Sequence, residues 1–299
     1  MSGALAEAVA RVWPDGRSTW EVLGGGITNH NLKVTRPDGV VVLRVAGKDT
    51  DLLGIDRTVE LAATRAAAEV GVGPEVVDFV EPEGWLVTRF VPGAIPPLET
   101  LREPEQLRRV ARALRAFHQG PPLPGRFDAL EVVEAYRDTA VERGAVLPAA
   151  FAAAHELARR IAALRAEQPP RPCHNDLLNA NFIDDGERIR IVDWEYAGMG
   201  DPFFDLGNFS INHELPPDED AALLAAYEGE VRPDRLARLT LMRVVSDFRE
   251  AMWGVLQQGV STLDVDFVAY ASGNFDRLLR NAASERFEQA LATVTEAQG

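Results

Sequence analysis

The sequence predicts an α+β protein in two lobes: a small β-rich lobe over residues 1–91 and a larger, mainly helical lobe over residues 92–299. Three observations predict it. Residues 19–46 read as three short strands separated by turns, a Pro/Gly-rich stretch at 90–97 interrupts the text, and Ala/Leu/Arg-rich segments of helical spacing dominate beyond it. At 299 residues the chain exceeds most single compact cores, so a bilobal unit or two closely associated domains is expected.

The elements follow in order. MSGALAEAVARVW has the Ala/Val/Trp spacing of a short amphipathic helix. STWEVL, NLKVT and VVVLRVA then form a β-meander, with Asp38-Gly39 as the second turn. The first turn, Gly24-Gly25-Gly26, holds more glycine than a simple turn needs, which suits close approach of backbone to a ligand. Ile55, Val59, Ala62, Ala63, Ala66 and Val70 mark a helix over 51–70, stopped by Gly71-Val72-Gly73-Pro74. EVVDFV and GWLVTRFV flank Glu81-Pro82-Glu83-Gly84 as a hairpin. Helices are expected at 103–118 and 149–167, and ANFIDDGERIRIVDW reads as two short strands joined at Asp185-Gly186.

Composition narrows the function. Hydrophobic residues at 46% and charged residues at 26% are ordinary for a soluble globular protein. A formal charge of −15 opposes a nucleic-acid surface and is compatible with a small cationic substrate, although acidity is first a solubility feature. One cysteine, Cys173, excludes an intrachain disulfide and a cysteine-based zinc cluster. The first residues lack a basic start and apolar stretch for export, and no apolar run is long enough to span a membrane. No membrane association is expected, and a cytoplasmic location fits best. The sequence is silent on oligomeric state.

The chemistry concentrates in Cys173–Glu195. His174-Asn175-Asp176, then Asn181 five residues after Asp176, then Asp193 after one hairpin, has the spacing of a protein-kinase-like phosphoryl-transfer site. One carboxylate must take the substrate hydroxyl proton, while an amide oxygen and a second carboxylate hold Mg²⁺ against the nucleotide phosphates. The expected base is Asp176, and the expected metal ligands are Asn181 and Asp193. His174 reads as a brace of the loop backbone. In the small lobe, Gly25, Gly26, Thr28 and Asn29 are expected to fold over phosphates, Arg44 to grip them, and Glu60 to pair with Arg44. ATP is the expected nucleotide, with adenine near Thr88–Val91, which adds Arg89 and Val91 to its contacts.

On these residues the chain resembles the choline/ethanolamine kinase family, within the larger group that includes aminoglycoside phosphotransferases. GGGITNHNLKV and VVLRVAG are similar to that family's small lobe, HNDLLNANF to its catalytic loop, and IVDWEYAGMGDPFFDLGNFS to its long metal-loop motif. The resemblance implies that Glu195 and Tyr196 form an acidic-aromatic pair beside the substrate, and that Asp205 and Asn208 brace the loop. It also implies that FREAMWGVLQ is a helix supplying an aromatic wall, with Trp253 on it. Two positions depart from the family pattern: Asn212 stands where an acid is expected, with Glu214 two residues on, and Leu256 stands where some members carry a second tryptophan. Asp176, Glu195, Tyr196 and Trp253 are thus the expected substrate contacts.

The resemblance implies transfer of the ATP γ-phosphoryl group to choline, whose trimethylammonium needs aromatic faces because it has no N–H to donate. The alternatives are another cationic alcohol (ethanolamine, thiamine or an aminoglycoside) or a nucleotide-binding pseudokinase. Trp194 reads as a core residue, and His118 as a helix-end histidine satisfying local carbonyls.

Overall fold

The computed structural model describes residues 2–24, 29–47, 50–164 and 168–297. Five antiparallel strands, β1 (Thr19–Leu23), β2 (His30–Arg36), β3 (Gly39–Val45), β4 (Val76–Val80) and β5 (Trp85–Arg89), form one sheet in the order β1-β2-β3-β5-β4. Alternation sets its two faces. Leu32 pairs with Leu43 and Val34 with Val41, and these residues, with Val87, pack under helix α1 (Ser2–Val12) through Leu5 and Val9. The opposite face presents Asn31, Val42, Arg44, Leu86 and Thr88 to a cleft, so one period of two builds both a core and a site wall.

Helix α2 (Arg57–Glu69) follows β3. Asp56 caps it, its carboxylate accepting from the Thr58 and Val59 amides at 2.8 and 3.3 Å. Although α2 falls within residues 1–91, its Ala63, Ala66 and Ala67 join the large core of the helical region rather than the core under the sheet.

The chain leaves the sheet after Arg89 and crosses 90–97 to α3 (Leu98–Leu101). Gly93 has φ +151°, and a Cβ there would come within 2.4 Å of the Asp184 carbonyl oxygen, so glycine alone fits this contact. Ala94 and Asp184 exchange backbone hydrogen bonds of 3.2 and 2.9 Å, docking the crossing onto the hairpin of β7 (Phe182–Asp184) and β8 (Ile189–Ile191).

Helices α4 (Pro104–His118), α5 (Ala129–Glu142) and α6 (Phe151–Ala163) precede a second small sheet, β6 (Arg171–Cys173) with β9 (Gly198–Gly200). Then come α7 (Pro202–Asn212), α8 (Pro217–Glu228), α9 (Pro233–Val260), α10 (Phe267–Ala282) and α11 (Glu285–Glu296). The 28 residues of α9 span about 42 Å, and it packs against α5, α7, α10 and α11. Helix α7 is buried from Pro202 to Ile211 on every side: Phe203, Phe204, Leu206, Phe209 and Ile211 are core, and the polar Asp205, Asn208 and Ser210 each have hydrogen-bond partners. No helix among the described residues is long and apolar enough to cross a membrane.

Candidate active site

The segment from β6 to β8 carries the predicted loop. Asp205, projecting from the first turn of α7, accepts the backbone N–H groups of His174 and Asn175, both at 2.7 Å. Asn208, one turn on, accepts the Leu177 N–H at 2.5 Å and donates to Ser246 Oγ at 2.9 Å. The loop backbone is thus suspended from side chains of a buried helix, which compensates for its lack of regular hydrogen bonding. His174 completes the brace: Nε2 donates to the Val192 carbonyl at 3.0 Å and Nδ1 accepts the Asp176 N–H at 3.2 Å. With both ring nitrogens engaged and burial pushing its pKa down, His174 is a neutral strut.

Asp176 faces Arg249 of α9, whose Nη2 lies 3.3 Å from Asp176 Oδ1 and donates to the Asn175 carbonyl at 2.7 Å. Burial pushes the Asp176 carboxyl up to about 7, against the pull of the Arg249 charge. Asn181 donates its amide N–H to the Asp176 carbonyl at 2.8 Å. That bond fixes the amide plane and leaves its oxygen as the free end. Asp193 adopts φ 68°, a left-handed turn that Asp tolerates better than most residues.

Asn181 and Asp193 both line a cleft of about 410 Å³ between the sheet and the β7-β8 hairpin. Its walls are apolar at Val42, Leu86, Ile183 and Val192 and ionic at Arg44, Glu60 and Asp193. An amide oxygen and a carboxylate are the hard oxygen donors that Mg²⁺ takes, so these side chains fit the ion.

The expected Arg44–Glu60 contact is present at 2.6 Å, and the same Arg44 Nη1 reaches Asp193 Oδ1 at 2.7 Å. Arg57, absent from the expected contacts, donates to Glu60 Oε2 at 2.6 Å, to Asn29 Oδ1 at 2.9 Å and to Glu195 Oε2 at 3.3 Å. Asn29 in turn donates to Glu195 Oε2 at 2.7 Å. Three carboxylates, Glu60, Asp193 and Glu195, therefore face two guanidinium groups beside the cleft.

Several expected contacts are placed differently. Glu195, expected beside the substrate, turns its buried carboxylate to Arg57 and Asn29; burial and the neighbouring Asp193 charge push its pKa up. Asn29, expected to donate to phosphates, has both ends of its amide engaged by Glu195 and Arg57. Arg89 and Val91 do line the cleft, the former with its side chain half exposed beside Glu75. Gly25, Gly26 and Thr28 lie outside the described residues.

Tyr196 and Trp253 are brought together, Trp253 Nε1 donating to Tyr196 Oη at 3.0 Å. One face of the Tyr196 ring, expected to receive a substrate cation, is covered by the Arg249 guanidinium 4.8 Å from its centroid. Trp194 is core, packed on Phe117 and His174 with centroids 4.2 and 4.6 Å apart. His118 is structural, but its partners are side chains: Nε2 donates to Asp205 at 3.0 Å and Nδ1 accepts the Tyr227 O–H at 2.7 Å. Cys173 lies near His118 and Asp205, yet Asp205 is already engaged by three donors, so the trio reads as a brace.

Signals for the unexpected residues were faint. Arg57 stands three before Glu60, a helical ion-pair spacing common on solvated faces. Arg249-Glu250 is a charged pair immediately before the apolar run AMWGVL of α9, which marks burial with a partner but not which partner.

A sequence profile described as the phosphotransferase enzyme family matches residues 19–239. Human ethanolamine kinase 2 is 27% identical over 269 residues, covering 80% of this chain and 69% of that protein. A choline/ethanolamine kinase family protein of Mesorhizobium loti has a structure that superposes with a TM-score of 0.86 at 32% identity, over 99% of this chain and 100% of that one. The choline kinase LicA of Streptococcus pneumoniae shares the fold, with a TM-score of 0.77 at 21% identity over 95% and 99% of the two chains.

Proposed function

Because the chain belongs to the phosphotransferase enzyme family, in its choline/ethanolamine kinase branch, we propose that it transfers the γ-phosphoryl group of ATP to the hydroxyl of a small cationic amino alcohol. Choline, the acceptor that the family resemblance implied, and ethanolamine both belong to that class. The observation that carries the proposal is that Asn181 and Asp193 line one cleft while the Asn181 amide is bonded to the backbone of Asp176, whose carboxylate faces Arg249.

Each residue then has a task. The apolar walls of the cleft take the adenine, with the backbone of 88–91 along its edge. Arg44, held by Glu60, supplies positive charge to the phosphate oxygens. Mg²⁺ bound by Asn181 and Asp193 would neutralise charge on the β- and γ-phosphates. Asp176 accepts the hydroxyl proton as the acceptor oxygen attacks, its raised pKa keeping it basic enough to do so. Residues 1–91 thus hold the nucleotide phosphates and residues 92–299 the base, the metal ligands and the acceptor.

The test is ADP release from the purified chain with ATP, Mg²⁺ and a panel of choline, ethanolamine, thiamine and an aminoglycoside. Release is expected with choline or ethanolamine. Release only with thiamine or the aminoglycoside would overturn the acceptor class and leave the phosphotransfer intact.

A further inference from the structure

Across Arg249 from Asp176 stands a carboxylate that the reaction as described does not use. Glu250 lies on α9 one residue after Arg249 and one turn before Trp253, and is 7% exposed. Its Oε2 accepts from Arg249 Nη1 at 2.6 Å, and its Oε1 accepts the Tyr270 hydroxyl of α10. The other end of the same guanidinium reaches Asp176. One positive charge therefore stands between two carboxylates, and among the described residues one negative charge in this buried group has no ionic match. Asp247, on the preceding turn, is matched by its own partner, Arg277, at 2.6 Å.

An unmatched buried carboxylate is costly, and a cationic acceptor that binds beside it removes that cost. The kind of cation follows from what is free to touch it. A trimethylammonium needs aromatic faces, but Arg249 covers one face of Tyr196, and the Tyr196 hydroxyl is bound to Trp253. Trp253 is itself packed edge-on against Phe267 and Tyr270, with centroids 5.8 and 5.6 Å away. The next turn of α9 offers Leu256, not a further ring. An ammonium with N–H groups needs acceptors instead, and Glu250 and the Tyr270 hydroxyl oxygen are acceptors on one helix pair. Leaving such N–H groups unpaired in a buried site would forfeit binding, so the preference has a physical sign.

We propose that Glu250 is the specificity-determining residue of the acceptor site, selecting an alcohol with a primary ammonium, as in ethanolamine, over one with a trimethylammonium. This inference rests on the amino-alcohol reading above. The experiment is calorimetric binding of ethanolamine and of choline to the full chain with a non-hydrolysable ATP analogue, together with steady-state kinetics for both alcohols. Ethanolamine is expected to bind at least tenfold more tightly than choline. In Glu250→Gln the ratio should fall at least fivefold, through KM rather than kcat, and Glu250→Asp should recover part of it. Equal or tighter binding of choline by the native chain, or an equal loss for both alcohols in Glu250→Gln, overturns the proposal. Should Glu250→Gln fail to fold by circular dichroism, Tyr270→Phe removes one hydroxyl from the same pair; a fall of at least threefold in the ratio is then expected, and an unchanged ratio overturns it. Native protein that binds ethanolamine selectively but releases no ADP with any alcohol would sink the kinase reading while leaving the Glu250 assignment standing.

Discussion

A carboxylate that must receive a proton needs a fixed position more than an unusual pKa, and Asp176 has its backbone held on both sides, by His174 at the N–H and by Asn181 at the carbonyl. Asp176→Asn keeps the shape and removes the base. The expected outcome is a fall in kcat of about 10²–10⁴-fold with nucleotide affinity retained, measured by single-turnover phosphate transfer and by titration with a fluorescent ATP analogue; an unchanged kcat would remove Asp176 as the base. Asp193 calls for a different substitution for a backbone reason. At φ 68° alanine would add strain, whereas Asn tolerates the left-handed region. Asp193→Asn is expected to raise the Mg²⁺ concentration for half-maximal ADP release by tenfold or more. A Mg²⁺ titration that superimposes on the native one would argue against Asp193 as a ligand.

Helices α7 and α9 set the distance between the catalytic loop and its cation. The loop hangs from Asp205 and Asn208 on α7, while Arg249 is carried by α9. Gly207 is where the two helices meet: a Cβ there would come within 2.7 Å of the Met242 carbonyl carbon and 2.9 Å of the Arg243 nitrogen, both backbone atoms that cannot swing away. Gly207→Ala should therefore destabilise the protein by about 1–3 kcal/mol and also lower kcat, because separating the helices moves Arg249 from Asp176. Urea unfolding and kinetics on the same sample check this; a stability equal to native would show that α7 and α9 have room to spare. Strands β1 to β5 and the helices α2, α4 and α6 were legible as elements because periods of two and 3.6 persist in their text, and β7 and β8 from the Asp185-Gly186 turn that joins them, whereas β6 and β9, three residues each, have neither signal. Helix α7 was legible only as a motif, since a helix buried on all sides has no amphipathic period to read.

At the scale of the molecule, Arg57 ties segments far apart in the chain together. It joins Glu60 of α2 and Asn29 beside β2 to Glu195 beyond the β7-β8 hairpin, all with little exposure. Arg57→Ala would strand Glu195 and half of Glu60, and is expected to cost about 3 kcal/mol, read as a shift of the urea midpoint; a midpoint within error of native would mean the carboxylates find water. Acid stability has a second source. His213 is fully buried on Phe209, donating Nδ1–H to the Phe209 carbonyl at 2.8 Å, and burial pushes its pKa down to about 4. A group depressed in the folded state binds its proton first in the unfolded chain. Stability should thus be full above pH 6.5 and decline toward pH 4, by on the order of 3 kcal/mol from this group. His213→Gln should flatten that part of the stability–pH curve, and an unaltered slope would assign acid unfolding to other groups.

The chain order alone pointed to phosphoryl transfer, because the proposed base and metal ligands lie on one short hairpin-spanning segment and short-range spacing survives without coordinates: Asp176, Asn181 and Asp193 are within eighteen residues of one another. It also determined the alternation that sends Leu43 to a core and Arg44 to the cleft. Only the tertiary structure decided what each charge faces. The family resemblance implied Glu195 as a substrate contact, and in the fold its carboxylate pairs with Arg57, 138 residues earlier; Arg249 covers the Tyr196 ring from a helix that begins 37 residues after it. Coulomb partners are chosen by distance in space, which packing fixes and local sequence does not, and so the reaction was readable in the sequence while the pocket that selects its acceptor was not.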